Sequence, residues 1–278
     1  YILFVDSDDM LKATAVERIL QYSEDKNLDV LFYEADALFE TDDLRKKFGG
    51  YDTYYHRENI ISDVKSGTEL FSVLVNNKEY LVSPCLQFIS REHIENNHIV
   101  FPEGIIHEDN LFTFKNLLLA NRAGVINETF YVRRVHEDST MTRKKGFRNM
   151  YGYLTCFAGM LSFVTEKSFD VEVQAAIKIV IDGVRKQVCS IYGNLDDTEK
   201  QLLKKLSPVE EMWLNIASGC ETAEVAHLQE AIKVKDKKLK KLGNENNALK
   251  NSLSFKIGRA ITFVPRKIYS GLKCFKDH

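Results

Sequence analysis

The first nine residues of the chain place five apolar residues directly before a group of three acids. Residues 1–5 read Tyr-Ile-Leu-Phe-Val, and Asp6, Asp8 and Asp9 follow with only Ser7 between them. Such a run predicts a buried strand, and open α/β sheets bind ligands at the carboxyl ends of their strands. Neighbouring carboxylates repel one another unless a cation or a donor-rich ligand lies between them. The run therefore predicts a ligand or metal site at a strand end.

The alternative explanation is a strand followed by the acidic N-terminus of a helix, because aspartate caps helices well. One aspartate would suit that explanation better than a group of three. Residue 1 already lies inside the strand pattern, without an initiator methionine or a polar lead-in. We therefore expect residues upstream of it to be missing from this chain.

Composition limits the classes of protein that the chain can represent. Its 278 residues, 44% apolar, are enough for one large domain or two smaller ones. The net charge of −2 argues against a general nucleic-acid binder, so we expect no nucleic-acid partner. The five cysteines form no Cys-x-x-Cys pair, which favours free thiols in a reducing compartment. No apolar stretch approaches the ~20 residues of a membrane-spanning helix.

Four regions differ in character. Residues 1–140 alternate strand and helix signals, which indicates an α/β domain, and residues 141–220 carry helix signals only. A long C-terminal helix and a basic tail follow. The expected strands are 29–39, 85–90, 99–101 and 125–134, and the expected helices are 91–97, 107–118, 147–163 and 171–191, with shorter ones beginning near Thr198 and Ser207 and a polar, tyrosine-rich loop over 40–66.

Residues 221–253 carry a heptad pattern typical of a coiled coil. Asn246 falls on an a position, where a buried asparagine favours a parallel two-stranded register, so we expect a homodimer through this segment. Lys235 interrupts the apolar seam, and a single amphipathic helix lying on its own domain remains the alternative. The seam is formed by Val225, Leu228, Ile232, Lys235, Leu239, Leu242, Asn246, Leu249 and Leu253.

Residues 254–278 are basic and apolar together, with six lysines and arginines against one acid. Apolar residues recur there at helical spacing, although Pro265 must break or kink the helix. A basic amphipathic end suits the surface of an anionic bilayer, so we expect peripheral membrane contact. The alternative is a helix that packs back on the catalytic domain with its lysines in solvent.

Chemistry-bearing residues recur in four places within residues 1–139. Besides the opening acids, they are His107-Glu108-Asp109 at a helix start, Arg133-Arg134 at a strand end, and His136. Carboxylates for a metal, a separate carboxylate for a base and cationic donors for phosphate suit one kind of reaction. It is displacement at a carbon whose leaving group is a metal-bound diphosphate, with an alcohol as the nucleophile.

Three segments resemble family 2 glycosyltransferases of the GT-A fold. Residues 1–11 resemble the metal-site strand of that family. Residues 101–112, which begin Phe-Pro-Glu-Gly and contain His-Glu-Asp, resemble its acceptor-side motif. Residues 131–139 resemble the segment that closes its diphosphate site. The resemblance covers about half of the chain, and the three segments stand in the family's order and spacing.

The resemblance assigns the donor and metal sites. It implies that Asp6 contacts the ribose of the sugar nucleotide or the metal, and that Asp8 ligates a divalent cation, Mn²⁺ or Mg²⁺. His136 matches the histidine that often completes the metal site, and Arg134 would hold phosphate oxygens. The competing explanation for His136 is a solvated loop histidine. Because neighbouring strand residues point to opposite faces, only one of Arg133 and Arg134 would point inward, and the other would be surface charge.

The resemblance also assigns the acceptor side. Asp109 would be the general base on the acceptor hydroxyl, which implies inversion at the anomeric carbon. Glu108 would support Asp109 or contact the acceptor. The competing explanation is that Asp109 only caps its helix, and His107 could serve only to orient the turn.

The expected protein is an inverting glycosyltransferase that moves a sugar from a nucleotide-diphosphate sugar to a hydroxyl of a glycan or lipid-linked acceptor. We expect a bacterial enzyme of cell-surface polysaccharide synthesis, cytoplasmic and peripheral on the inner face of the plasma membrane. The family's nucleotide-binding half would precede residue 1, so we expect only the C-terminal part of a GT-A-like mixed sheet. A chain truncated in this way should bind sugar nucleotide poorly and be inactive alone.

Two other functions compete with this expectation. A phosphatase of the haloacid dehalogenase type also begins with an apolar strand and Asp-x-Asp, but Met10 stands where that class has Thr or Val. Its later acidic pair should end a strand, whereas Asp196-Asp197 lies between predicted helices. The other alternative is a non-catalytic assembly subunit that dimerises through residues 221–253 and docks at a membrane.

Overall fold

A computed structural model describes residues 1–137 and 145–219. Its first 137 residues form a mixed α/β layer structure, and residues 145–219 add helices only. The α/β class and the change to helices therefore agree with the sequence prediction. The predicted heptad segment, 221–253, and the basic tail, 254–278, lie outside the described residues.

One sheet of five strands organises the α/β part, in the order β1-β4-β3-β5-β2. The central pair, β3 and β5, is parallel, and the other three pairings are antiparallel, so the sheet is mixed. The strands are β1 (Ile2–Leu3), β2 (Met10–Leu11), β3 (Val30–Phe39), β4 (Gln87–Ile89) and β5 (Ala123–Val135).

Ten α-helices surround this sheet in the described part of the chain. Serine, threonine or aspartate side chains cap several of them, such as Ser66 and Ser207, each in a reciprocal capping box with a glutamate. The helices are α1 (Ala15–Asp25), α2 (Asp42–Phe48), α3 (Tyr51–Tyr54), α4 (Gly67–Asn76), α5 (Arg91–Asn96), α6 (Asp109–Leu118), α7 (Phe147–Thr165), α8 (Val171–Gly193), α9 (Asp197–Leu203) and α10 (Pro208–Ser218). None of the helices in residues 1–137 and 145–219 is long and apolar enough to span a membrane.

Alternating residues of β3 pack into two different hydrophobic clusters. Val30 and Phe32 join the cluster that α4, α6, α7 and α8 cover, whereas Leu31 and Tyr33 join the cluster beneath α1. Successive strand residues point to opposite faces, so β3 is buried on both sides. Helices α7 and α8 share the first cluster with the sheet, and the two-part division at residue 140 stays a prediction.

Three expectations about individual elements were wrong. The opening run forms only the two-residue strand β1, half-buried at the edge of the sheet, and not a fully buried strand. Residues 99–101 form no strand. Residues 40–66 are not one long loop, because the acidic start of α2 is capped by Thr41 and α3 follows directly. Whether the first two segments form strands depends on pairing with distant strands, which the local sequence does not show. The helix in the third segment depends on the local cap at Thr41.

Candidate active site

The opening acids form a tight turn between β1 and β2. The Asp9 amide donates to the Asp6 carbonyl at 3.1 Å, and β2 then pairs antiparallel with β5, Met10 facing Val132. One carboxylate oxygen from each of Asp6, Asp8 and Asp9 lies within 4.8 Å of the other two. The sheet therefore gathers the three acids at one point beside the end of β5.

Strand β5 fixes this turn through Tyr131 and a backbone amide. The Tyr131 hydroxyl donates to Asp9 Oδ2 at 2.7 Å and accepts from the Asp6 amide at 3.1 Å. The Arg134 amide donates to Asp9 Oδ1 at 2.7 Å. Both oxygens of Asp9 are thus engaged by the protein, and Asp9 holds the turn in place instead of capping α1.

His136 lies against Asp8 at the end of the same strand. Its Nε2 is 2.9 Å from Asp8 Oδ2, and this hydrogen bond lowers the pKa of the Asp8 carboxyl. Asp6 shows the opposite effect, since partial desolvation of its carboxyl raises its pKa, although the residue as a whole is exposed, and the nearby charge of Asp9 adds to the rise. The structure therefore brings three of the predicted site residues, Asp6, Asp8 and His136, into one cluster.

The donor set of this cluster suits a hard divalent cation. Carboxylate oxygens are the ligands that Mg²⁺ and Mn²⁺ favour, and Mg²⁺ is bound through one or two carboxylates plus substrate phosphates. Asp6 and Asp8 are exposed, so phosphate oxygens or water could fill the remaining coordination positions. A +2 charge would also stabilise the ionised form of Asp6, whose pKa is otherwise raised.

The two neighbouring arginines take different positions. Arg134 is exposed, and its Nε lies 3.7 Å from Glu40 Oε1. Arg133 is half-buried, with its guanidinium 5.7 Å from the centre of the Tyr55 ring. Burial lowers the pKa of Arg133, but Tyr55 and the acids Asp9 and Asp6 raise it by more. The arginine beside the acids is thus Arg133, whereas the sequence resemblance selected Arg134 as the phosphate contact.

Asp109 begins α6, and its side chain accepts from Asn110 Nδ2 at 2.9 Å. Burial raises its pKa to about 6, and the charge of Glu108 adds to this rise, whereas Asn110 and Arg133 lower it. A carboxyl in this range is suited to general-base catalysis near neutral pH. Glu108 is half-buried at the N-cap position and makes no capping bond through its side chain.

A strained turn holds the start of α6. His107 has a left-handed φ of 68°, and its carbonyl accepts from the Asn110 amide at 3.1 Å. The His107 ring stacks on Tyr153 of α7 at 4.1 Å, and its Nε2 lies 3.0 Å from Asn149 Nδ2. Burial, with a contribution from Lys145, lowers the pKa of His107 to about 4, so the ring is neutral. His107 therefore positions Asp109.

Arg133 interacts electrostatically with both groups of acids. Its charge lowers the pKa of Asp6 and Asp8 in the opening turn and the pKa of Asp109 at the start of α6. An effect of one guanidinium on all three carboxyls favours a common cleft for them. That the opening acids and Asp109 line one cleft stays a prediction.

Sequence reasoning missed Tyr131, Tyr54 and Tyr55 around this site, and it named Arg133 without assigning it a role. Tyr131 and Arg133 alternate along β5 and so share a face, but a hydrophobic pattern alone does not reveal which face meets the acids. Tyr54 and Tyr55 come from the segment that was expected to be loop. Their one signal in the sequence is the tyrosine density of residues 51–55.

The sequence matches no protein-family model, and no curated protein is significantly similar to it. Among solved structures, S. aureus TarS 1-349 in complex with UDP-GlcNAc is 20% identical with a TM-score of 0.49, covering 77% of this chain and 54% of that chain. The same TarS fragment in complex with UDP is 19% identical with a TM-score of 0.44, covering 77% and 53%. This chain thus spans about half the length of those fragments. A TM-score below 0.5 does not establish a shared fold, so the function must be argued from the site.

Proposed function

We propose that this protein is a glycosyltransferase, which transfers a sugar from a nucleotide-diphosphate sugar to a hydroxyl group with inversion at the anomeric carbon. The observation that carries the proposal is the cluster of Asp6, Asp8 and His136 beside the end of β5, which suits a cation, together with Asp109 at the start of α6, whose raised pKa suits a base. A displacement that releases a diphosphate and deprotonates an alcohol needs both groups in one cleft.

The opening turn would form the donor side of the cleft. Asp6 and Asp8, with His136 beside them, would hold a Mn²⁺ or Mg²⁺ ion, which would neutralise the charge of the departing diphosphate. Arg133 lies beside these acids and would contact phosphate oxygens. Arg134, the arginine that the sequence resemblance selected, stays a predicted phosphate contact, and its exposed side chain faces Glu40.

The start of α6 would form the acceptor side of the cleft. Asp109 would take the proton of the acceptor hydroxyl as that oxygen attacks, and its pKa of about 6 lets it accept a proton and remain mostly ionised at neutral pH. Glu108 adds a negative charge that raises this pKa, so it would strengthen the base. Direct attack by the acceptor, without a covalent enzyme intermediate, gives the inverted product.

Two further proposals rest on the sequence outside the described residues. Segment 221–253 would form a homodimeric coiled coil, and the basic segment 254–278 would contact the cytoplasmic face of an anionic membrane, near a glycan or lipid-linked acceptor. Measuring the solution mass with and without 221–253 tests the first, and sedimentation with phosphatidylglycerol vesicles tests the second.

The phosphatase alternative finds little support. Asp196 accepts from the Glu199 amide at 2.9 Å and caps α9, and Asp197 is the first residue of that helix. Neither acid ends a strand near the opening turn. Release of phosphate from small phosphoesters, without any turnover of nucleotide sugar, would favour the phosphatase.

The transferase proposal is tested in the full-length protein by measuring release of UDP from UDP-GlcNAc, the ligand of TarS, and from other nucleotide sugars, with Mn²⁺ and a mixture of acceptor glycans. Asp109→Asn should lower kcat by at least about 100-fold because the base is lost, while binding of UDP is unchanged. Asp182→Asn, on α8, serves as the matched control and should retain full activity. An Asp109→Asn variant as active as the parent would refute the assignment of the base.

A further inference from the structure

Three phenylalanine rings connect the segment before the opening turn with the first turn of α6. The rings of Phe101 and Phe112 stack at 3.9 Å with only 8° between their planes. Phe4 meets both members of this pair edge-on, at 5.5 Å and 89° to Phe101 and at 5.8 Å and 85° to Phe112. Phe112 is buried, and Phe4 is half-buried against it. The end of β1 and the start of α6 are therefore in direct side-chain contact.

Two of these rings lie close along the chain to the acids of the candidate active site. Phe4 precedes Asp6 by two residues, a stretch that spans at most about 7 Å. Phe112 lies in the first turn of α6, where its amide donates to the Glu108 carbonyl at 3.2 Å. Residues three apart on a helix, such as Asp109 and Phe112, are neighbours on its surface. The packing of Phe4 on Phe112 therefore acts near the backbone of the opening acids and near that of the proposed base.

The geometry of this contact makes it specific about distance. Edge-to-face rings keep a preferred separation and orientation, because the positive edge of one ring meets the negative face of the other. Protein interiors are close-packed and transmit strain, so a smaller side chain at this point would let the two segments shift relative to each other. A displacement of about 1 Å between reacting groups can lower a rate by about 100-fold. The three rings can thus affect the reaction through distance alone.

We propose that Phe4 is a positioning residue, which sets the distance between the acids of the opening turn and Asp109 through its contacts with Phe101 and Phe112. The proposal rests on the proposed transferase function for the roles of the two groups of acids. Its consequence is that loss of the Phe4 ring slows the chemical step, while each group of acids still binds its own ligand.

Steady-state kinetics of the full-length protein test this role, with Mn²⁺, acceptor glycans, and UDP-GlcNAc or another nucleotide sugar that gives faster release of UDP. Phe4→Leu should lower kcat about ten-fold or more, because the opening acids and the base no longer hold the same separation. The affinity for UDP with Mn²⁺ should stay within about three-fold of the parent, since the donor groups themselves are unchanged. Phe112→Leu should give the same pattern. The double variant should lose no more than about three-fold beyond the weaker single variant, because both substitutions remove one shared contact.

Phe88→Leu is the matched control, because it makes the same substitution at a buried ring of the same sheet. Phe88 lies on β4, stacks on Tyr1 at 4.7 Å and belongs to the other cluster, beneath α1. Thermal unfolding should show losses of stability of the same order in Phe4→Leu and Phe88→Leu. Phe88→Leu should nevertheless keep kcat within about two-fold of the parent, because its ring contacts neither Phe101 nor Phe112 in the described ring pairs.

The positioning role is overturned if Phe4→Leu keeps kcat within about two-fold of the parent, if Phe4→Leu and Phe88→Leu lower kcat equally, or if Phe4→Leu weakens UDP binding as much as it lowers kcat. In each of these cases the parent still transfers sugar, so the proposed function stands. A full-length parent that releases UDP from no nucleotide sugar overturns both proposals.

Discussion

At the scale of single residues, the burial of Asp109 costs the protein stability. Its pKa of about 6 lies above the value of 3.8 for a free carboxyl, so the folded state loses stability as pH rises toward and through 6. Asp109→Asn removes the charge, and above pH 7 it should raise the free energy of unfolding by about 1–2 kcal/mol. Below pH 4 the difference should vanish. Urea unfolding at both pH values measures it.

Asp182 serves for comparison because its pKa is shifted in the opposite direction from that of Asp109. Its pKa is lowered by hydrogen bonds from Lys186 and Arg185, so Asp182→Asn should not stabilise the protein at pH 7. If Asp109→Asn proves less stable than the parent at pH 7.5, the carboxylate makes favourable contacts that this account lacks.

The two arginines at the end of β5 make a matched pair of substitutions. In the full-length protein, Arg133→Met should weaken binding of UDP with Mn²⁺ by about 10- to 100-fold, because a half-buried cation beside the acids is lost. Arg134→Met removes only an exposed pair with Glu40, worth at most about 1 kcal/mol, and should change the affinity less than about five-fold. Calorimetric titration gives both values. The reverse order would restore Arg134 as the phosphate contact.

At the scale of elements, the packing of α7 against the turn before α6 fixes the position of the base. A Cβ atom at Gly152 would lie 2.0 Å from the carbonyl oxygen of Ile106. Gly152→Ala should therefore push the two segments apart, cost about 1–3 kcal/mol, and lower activity through displacement of Asp109. Thermal unfolding and turnover measure the two effects.

Gly183, in the interior of α8, is the control for that substitution. A Cβ atom there would meet no atom within 4 Å, so Gly183→Ala should stabilise the protein by about 0.5–1 kcal/mol. Equal effects of the two substitutions would show that close approach at Gly152 does not matter.

Elements with strong local signals were predictable from the sequence. The apolar run of β3 predicted nearly the observed bounds of that strand, and the serine cap with proline predicted the start of α10. The opening strand was overextended, because its length depends on pairing with β4, which no local pattern reveals. The site was predictable to the same extent. The acids could be named from the sequence, but the choice of Arg133 over Arg134 depends on which face of β5 meets them.

At the scale of the whole molecule, the sheet and the helices after residue 145 share one hydrophobic cluster. Phe114 of α6 is fully buried between Phe71 of α4, at 5.6 Å, and Phe163 of α7, at 6.0 Å. Phe114→Ala should cost about 3–5 kcal/mol and destabilise both parts together. Fluorescence of Trp213 on α10 and hydrogen exchange of β5 amides should report one transition.

Two separate transitions in that experiment would show that residues 1–140 and 141–220 unfold independently, which would support the division at residue 140 that the sequence predicted. A single transition would mean that the helical part is needed to hold α6 and hence Asp109. The same shared cluster is the reason that a substitution on α7 should alter chemistry at the start of α6.

The central claim is that the opening acids and Asp109 line one cleft. Following the carboxyl resonances of the protein by ¹³C NMR across pH, with and without saturating Mg²⁺, tests it most directly. Asp109 should titrate near pH 6 without Mg²⁺, its pKa should fall when the ion binds because a nearby +2 charge favours the carboxylate, and Asp8→Asn should abolish that fall. A pKa of Asp109 that does not respond to Mg²⁺ bound at Asp6 and Asp8 would contradict the shared cleft.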